Sequence, residues 1–179
     1  NNYVDNDETL KMLQKMSINL AASGSDILAP SDMMDGRIGA IRSDLEAAGH
    51  KDTILLSYSS KFSSNFYGPF REAVGSKRKQ GISKKTYQMD YRNSKEALMK
   101  AEMDINEGAD ILMVKPAMPN SDIIHSLSEN YSIPIFAYQV SGEYSMIQLG
   151  IDKKIFDNNV IDESLITLFR AGAKSVLTY

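Results

Sequence analysis

The sequence predicts an α/β fold built on a parallel sheet. The first observation behind this is a recurring pattern: a helical stretch ends in a small residue and glycine, and a short apolar run follows. Ala22-Ser23-Gly24-Ser25-Asp26 leads into Ile27-Leu28-Ala29, and Ala48-Gly49 precedes Thr53-Ile54-Leu55-Leu56. Asn106-Glu107-Gly108-Ala109-Asp110 leads into Ile111-Leu112-Met113-Val114, and Arg170-Ala171-Gly172-Ala173-Lys174 into Ser175-Val176-Leu177. Glycine just past a helix supplies the left-handed cap. The second observation is that the runs are short and continuously apolar, as strands buried on both faces are. The third is their alternation with helical segments, which implies parallel strands.

The helices between the runs follow in order. Leu10, Leu13, Ile18 and Leu20 to Ala21 give a helix over about 8–23, and Asp35 to Ala48 a second. Asn93, with Glu96 three residues later, resembles a capping box that opens a helix to about Glu107. Ser121 to Glu129 is a short fourth and Asp162 to Ala171 a fifth. Ile133-Pro134-Ile135-Phe136-Ala137-Tyr138 is a further strand, with proline at its start, where a missing donor is tolerated. The order is β-α-β-α-β-α-β-α-β with a helix in front. Five strands are too few for an eight-stranded barrel, so a complete doubly wound domain is the structural alternative.

Length and composition narrow the function classes. The chain has 179 residues, enough for one domain or a large piece of a bigger one. A net charge of −3 offers no basic surplus for nucleic acid. No apolar run approaches the roughly 18 residues that span a bilayer. Without cysteine, disulfides and thiolate metal sites are excluded within this stretch. The first residues lack the basic region and apolar core of a signal peptide. There is no initial methionine, and the chain stops directly after an apolar run, so a fragment is expected.

Ligands of parallel α/β folds bind at the carboxyl ends of the strands. There the sequence places Pro30, Ser31, Asp32 and Asp35; Ser59, Ser60 and Lys61; Lys115 and Pro116; Gln139, Ser141 and Glu143; and Thr178 and Tyr179. Lys115 directly continues an apolar run, so its ammonium is expected to be half-buried. Burial lowers a lysine pKa, and a second nearby cation lowers it further. A lysine so tuned attacks carbonyls and forms a Schiff base. Lys61 stands at the equivalent point of another strand. The competing reading is that each lysine snorkels or pairs with a carboxylate such as Asp35.

The longest non-periodic stretch runs from Phe62 to Arg92, and its segment Gly75 to Lys85 carries five cations. A loop this long is either a solvated basic segment or a lid over an anionic substrate. His50 and His125 are isolated, and no metal-ligand spacing, phosphate-binding glycine motif or nucleophile elbow is present. The methionines, ten in all, read mostly as core filler. Asp5, Asn6 and Asp7 read as helix-capping residues.

At these residues the sequence resembles the 5-aminolevulinate dehydratase (porphobilinogen synthase) family. The matching segments are Ile27-Leu28-Ala29-Pro30-Ser31 with Met34-Asp35-Gly36, and Ser57-Tyr58-Ser59-Ser60-Lys61-Phe62 running on to Phe66-Tyr67-Gly68-Pro69-Phe70-Arg71. They continue with Tyr87-Gln88-Met89, Glu107 to Ala117 around Val114-Lys115-Pro116, and Tyr138-Gln139-Val140-Ser141-Gly142-Glu143-Tyr144. The match spans essentially the whole chain, in order.

The resemblance implies a TIM (β/α)8 barrel of which this chain, 1–179, is the C-terminal portion, covering about strands 4 to 8. It would leave two unpaired edges and an exposed barrel interior, so the piece alone is not expected to be a stable enzyme. The implied reaction condenses two molecules of 5-aminolevulinate to porphobilinogen, with loss of two waters, in tetrapyrrole (haem) biosynthesis. Carried over position by position, Lys115 would form the Schiff base with the substrate that becomes the propionate side, and Lys61 the one on the acetate side. Ser141 and Tyr179 would bind one substrate's carboxylate; Arg71 and Lys84, with Gln88, would clamp the other. Ser31 and Asp35 would lie close to the lysines, and residues 74–86 would form the active-site lid. The family uses zinc or magnesium, with ligands not in this chain, and no organic cofactor; the full-length protein is expected to be a homo-octamer in the cytoplasm or a plastid, not secreted.

Three departures stand out. The family has arginine where Lys84 stands, and a lysine keeps the charge but loses the bidentate fork. The lid is about two residues longer than the bacterial pattern, so Arg78 or Lys85 could take the place of Lys84. Magnesium-activated members carry a glutamate fifteen positions before the second catalytic lysine, where this chain has Lys100; a cation there argues against an allosteric magnesium site unless Glu102 or Glu96 takes over. The alternative readings are a class I aldolase-like Schiff-base barrel, which two strand-end lysines argue against, a non-catalytic ligand-binding module, and an inactive isolated fragment.

Overall fold

The computed structural model describes residues 3–73 and 83–179. Helix α1 (Asn6–Ala22) precedes strand β1 (Ile27–Leu28), and α2 (Arg37–Ala47) leads to β2 (Ile54–Lys61). After the short helix α3 (Gly68–Ala73) come α4 (Ser94–Asn106), β3 (Ile111–Lys115), α5 (Ser121–Asn130) and β4 (Ile135–Tyr138). Helices α6 (Ser141–Asp152) and α7 (Asn159–Arg170) then precede β5 (Ser175–Leu177). Of the predicted lid, only 83–86 falls among the described residues.

Local chemistry accounts for the helix starts. The Asp5 side chain accepts from the Glu8 amide and caps α1, and Asn93 accepts from the Glu96 amide and caps α4. Gly24, Gly49, Gly108 and Gly172 all have positive φ just past a helix, the conformation the repeated glycine pattern predicts. Helix α6 was not predicted. Gly142 and Gly150 interrupt its sequence, and its first turn is held by a buried carboxylate: Glu143 reaches back to accept from the Val140 amide at 2.5 Å.

All strand pairs are parallel, and their spatial order, β1-β2-β3-β4-β5, is the chain order. A doubly wound sheet reverses direction at a switch point. This sheet steps one way throughout, as a singly wound half-barrel does, which excludes the doubly wound alternative.

Strand alternation divides the sheet into two faces. Leu55, Leu112, Val114, Ile135 and Ala137 face the helices and pack with Ile38, Ile41 and Leu45 of α2, Ala97 and Ala101 of α4, Ile124 and Leu127 of α5, and Leu168 of α7. Each fully buried Leu or Ile here contributes about 1.5–3 kcal/mol. Leu56, Tyr58, Ile111 and Met113 line the other, concave face, bordered by Ile54, Phe136, Tyr138 and Leu177. This face is less bare than the half-barrel expectation of an exposed interior: Met113 is 1% exposed and Leu56 5%. Large side chains on neighbouring strands shield one another, and only the margin is partly open.

One irregularity positions the site. Ser57 pairs with Leu112, but Ser60 pairs with Val114 and Lys61 with Lys115. The extra residue in β2 is a bulge, which shifts the inward–outward phase of the strand. Before it, Leu56 and Tyr58 face the concave side. After it, Lys61 does, level with Lys115.

Behind the bulge lies a buried charge cluster. Arg37, with no exposed surface, donates from Nη2 to Ser57 Oγ at 3.0 Å and from Nη1 to the Met34 carbonyl at 3.3 Å. Ser57 in turn donates to Asp104 Oδ2 at 2.5 Å, and Lys100 Nζ lies 2.8 Å from Asp104 Oδ1. Lys100 is thus committed to a carboxylate one turn along α4. Asp104→Ala leaves two buried cations without their shared anion and is expected to cost about 3–5 kcal/mol. The urea midpoint of the whole protein reads this out, and Lys11→Ala, at the exposed Lys11–Glu8 pair, is the control that leaves the midpoint unchanged.

Candidate active site

The site is built around two lysines that end adjacent strands. Because Lys61 and Lys115 are register partners in a parallel pair, their side chains leave the sheet side by side on the same face. Both ammonium groups meet the Tyr58 ring, at 5.7 Å for Lys61 and 5.5 Å for Lys115. Lys115 Nζ also lies 3.9 Å from the centre of the Tyr138 ring, 5.7 Å from Tyr67 and 6.0 Å from Phe70. Lys61 Nζ donates to the Ser31 carbonyl.

This environment lowers both lysines. Burial brings Lys115 down to about 8, with the charge of Lys84 adding to the effect and Glu143 opposing it. Burial likewise brings Lys61 to about 8, reinforced by Lys115, Lys84 and Arg37 and opposed by Asp32. At pH 7 a group of pKa 8 is about one-tenth neutral amine, roughly 300-fold more than an ordinary lysine. The aromatic rings meanwhile stabilise whatever positive charge remains. The arrangement supplies two nucleophilic amines that can also carry charge.

The walls are tightly built. Tyr67 donates its hydroxyl to the carbonyls of Phe62 (2.9 Å) and Lys115 (3.2 Å), tying the 65–70 turn to both strand ends. The Phe70 amide donates to Ser141 Oγ at 3.1 Å, and a Cβ on Gly142 would lie 2.2 Å from the Phe66 carbonyl oxygen. Only glycine lets the start of α6 approach this turn. Glu143, fully buried, accepts from the Met118 amide at 2.6 Å as well as from Val140, and so braces the chain just beyond Lys115. Burial pushes the Glu143 carboxyl up, and these amide donors pull it back.

Residues 83–90 close one side. The Met89 amide donates to the Lys61 carbonyl at 3.1 Å, and the Ser63 amide to Met89 at 2.8 Å. This pairing brings Lys84 within electrostatic reach of both lysines. Gln88 is 7% exposed, and its Oε1 has no hydrogen-bond partner among the described residues.

Lys61, Lys115, Lys84, Gln88, Ser31 and Ser141 therefore gather at the strand ends, and Arg71 lies on α3. Tyr179 stands at the rim, its ring 5.9 Å from that of Tyr144. Burial raises the neighbouring Tyr138 phenol to about 12, and a hydrogen bond with Tyr179 contributes. Asp35 does not join the group: its side chain is 84% exposed, and its ion-pair partner is Lys100 at 4.0 Å. The carboxylate that acts on Lys61 is Asp32. Residues to which the sequence reading gave no part are the cage rings Tyr58, Tyr67, Phe70 and Tyr138; Glu143, which it placed among the strand-end polar groups, braces the backbone, a role its spacing three residues after Val140 signals.

Comparison with known proteins agrees with this geometry. A family model described as delta-aminolevulinic acid dehydratase matches residues 1–179. A delta-aminolevulinic acid dehydratase of Methanothermus sociabilis is 51% identical over 179 residues, which cover 100% of this chain and 56% of the relative. Its counterpart from Rhodobacter capsulatus is 53% identical, covering 97% of this chain and 53% of the relative. A chloroplastic one from Spinacia oleracea is also 53% identical, covering 97% and 40%. The chain thus spans about half the length of the curated relatives it matches. A crystal structure of delta-aminolevulinic acid dehydratase (porphobilinogen synthase) from Toxoplasma gondii ME49, in complex with the reaction product porphobilinogen, superposes with a TM-score of 0.95 at 47% identity, covering 98% of this chain and 50% of that one.

Competitive labelling of amines across a pH series tests the electrostatics. Lys61 and Lys115 are expected to half-titrate near pH 8, where the structure places them, whereas Lys11 stays protonated well beyond, its pKa raised by Glu8. The unfolded chain holds these two protons more tightly, so both lysines oppose folding fully below about pH 8, and the opposition fades as pH rises toward the unperturbed lysine value.

Proposed function

This chain belongs to the delta-aminolevulinic acid dehydratase family, and from that membership and the paired lysines we propose that the whole protein condenses two molecules of 5-aminolevulinate to porphobilinogen with release of two waters. The observation that carries the reading is the register pairing of Lys61 with Lys115, both ammonium groups meeting the Tyr58 ring. A single-lysine aldolase needs one such amine; joining two identical amino-ketones through their carbonyls gives work to two.

Each lysine, as the neutral amine, attacks the ketone carbon of one substrate. The carbonyl oxygen leaves as water with both amine protons, one further proton taken from solvent keeps the imine protonated, and the substrate is held covalently at a strand end. Lys115 takes the substrate that becomes the propionate side and Lys61 the one that becomes the acetate side. With the two attachment points on adjacent strands, one carbon–carbon and one carbon–nitrogen bond form between fixed partners, and proximity supplies much of the rate. Arg71 and Lys84, with Gln88 donating from Nε2, hold one substrate carboxylate. Ser141 and Tyr179 hold the other. Ser31 orients Lys61 through its carbonyl. The segment 74–86, whose described end places Lys84 beside the lysines, serves as the lid.

The family's divalent ion, zinc or magnesium, finds no donor set here. No three histidine, aspartate or glutamate side chains converge among the described residues, and Asp104 is occupied by Arg37 and Lys100. We assign the ion's ligands to residues outside this chain. Among the described residues no helix is long and apolar enough to cross a membrane. A homo-octamer, in the cytoplasm or in a plastid as the chloroplastic spinach relative suggests, completes the reading. The outer edges of β1 and β5 are unpaired among the described residues, so the 179-residue chain by itself is expected to be inactive.

Turnover of 5-aminolevulinate by the whole protein tests this. Lys115→Met and Lys61→Met are each expected to lower kcat on the order of a thousandfold or more, with the folded state retained. Full activity in either variant contradicts the two-lysine reading.

A further inference from the structure

We propose that Asp32 is the positioning residue of Lys61 and the counter-charge for the imine nitrogen that Lys61 forms; the proposal rests on the two-lysine reading above. Lys61 Nζ donates to the carbonyl of Ser31, and Asp32 is the next residue. One of its carboxylate oxygens is committed: Oδ1 accepts from the Met34 amide at 2.7 Å and lies 3.8 Å from Arg37 Nε. The other, Oδ2, is buried and has no hydrogen-bond partner among the described residues. A buried carboxylate oxygen left open needs an explanation. Arg37 does not fill it: its Nε stands 3.8 Å from Oδ1, and its terminal nitrogens donate to Met34 and Ser57.

The charges around Lys61 make the need specific. The groups that act on it from the packed elements are Lys115 on β3, Lys84 in the 84–86 turn, Arg37 on α2, and Asp32 in the loop after β1. Among the described residues, three of these are cations and Asp32 is the anion. Imine formation conserves the charge at this nitrogen: the C–N bond forms, the C–O bond breaks, two of the ammonium's protons leave with the oxygen as water, and the iminium stays positive. That cation must persist among three others for the condensation to proceed. Lys115 draws on the rings of Tyr58, Tyr67, Phe70 and Tyr138; for Lys61 the ring contact in view is Tyr58, and the remaining stabilisation falls to the Asp32 carboxylate. Arg37 and the Met34 amide hold the carboxylate in place. The buried cluster beneath the bulge thereby serves the site.

The experiment traps both imines on the whole protein with 5-aminolevulinate and borohydride, and quantifies the Lys61 and Lys115 adducts by mass spectrometry across a pH series. In Asp32→Asn, which keeps the Oδ1 acceptor and loses the charge, amine and iminium at Lys61 both become easier to deprotonate. The Lys61 adduct profile is expected to move to lower pH by about one unit, with its maximum reduced, while the Lys115 profile stays in place. Asp32→Glu is expected to restore the Lys61 profile toward that of the unsubstituted protein. An unmoved Lys61 profile in Asp32→Asn overturns the proposal. So does an equal loss at both lysines without a shift, which is the behaviour of a purely structural residue. Absence of any adduct at either lysine in the unsubstituted protein overturns the two-lysine reading itself, and this proposal with it.

Discussion

Two ammonium groups on paired residues of neighbouring strands are the constraint to which the rest of this molecule answers. Lys61 and Lys115 are register partners, so their side chains rise from the sheet a strand spacing apart. Like charges this close, half-desolvated, repel, and each makes the other easier to deprotonate. An arrangement that costs stability persists because the surrounding structure over-determines it. Here that structure is the bulge in β2, the Tyr67 hydroxyl that binds both strand ends, and the start of α6 seated against the 65–70 turn where Gly142 leaves room for it.

The two lysines are supported differently. Lys115 stands in a box of four aromatic rings, with the Glu143 carboxylate spent on backbone amides behind it. Lys61 has one ring, one carbonyl and the open carboxylate of Asp32. An amine among rings keeps its cation through the rings' faces, whereas an amine among cations needs an anion. The difference suits a reaction in which two chemically identical substrates must end in different positions of the product.

Much of this was legible in the sequence. Runs such as Ile111-Leu112-Met113-Val114, each preceded by a glycine cap, marked buried parallel strands, and the polar residues after them marked the site. Lys115 announced itself as a charge ending an apolar run. The level pairing of Lys61 with Lys115 was not legible, because it depends on one extra residue in β2, and a bulge between Ser57 and Ser60 leaves no mark in a run of serines. Helix α6 escaped because its first turn is stabilised by Glu143 reaching backward in a stretch that glycine makes look like a loop. Asp32 and Asp35 both follow the first strand, and the family resemblance singled out Asp35; three residues apart in one loop, they differ in that Asp32 is turned inward by Arg37 and Asp35 is left in solvent. The doubly wound alternative fell to strand order, which only the assembled sheet reveals.

The central claim is that both lysines bind substrate covalently in one site. The stoichiometry of trapping tests it most directly: the whole protein is saturated with 5-aminolevulinate, reduced with borohydride, weighed intact and then mapped by peptide. Two reduced adducts are expected in a single polypeptide, one on Lys115 and one on Lys61. A single adduct at saturation, confined to Lys115, would leave Lys61 a structural cation and contradict it.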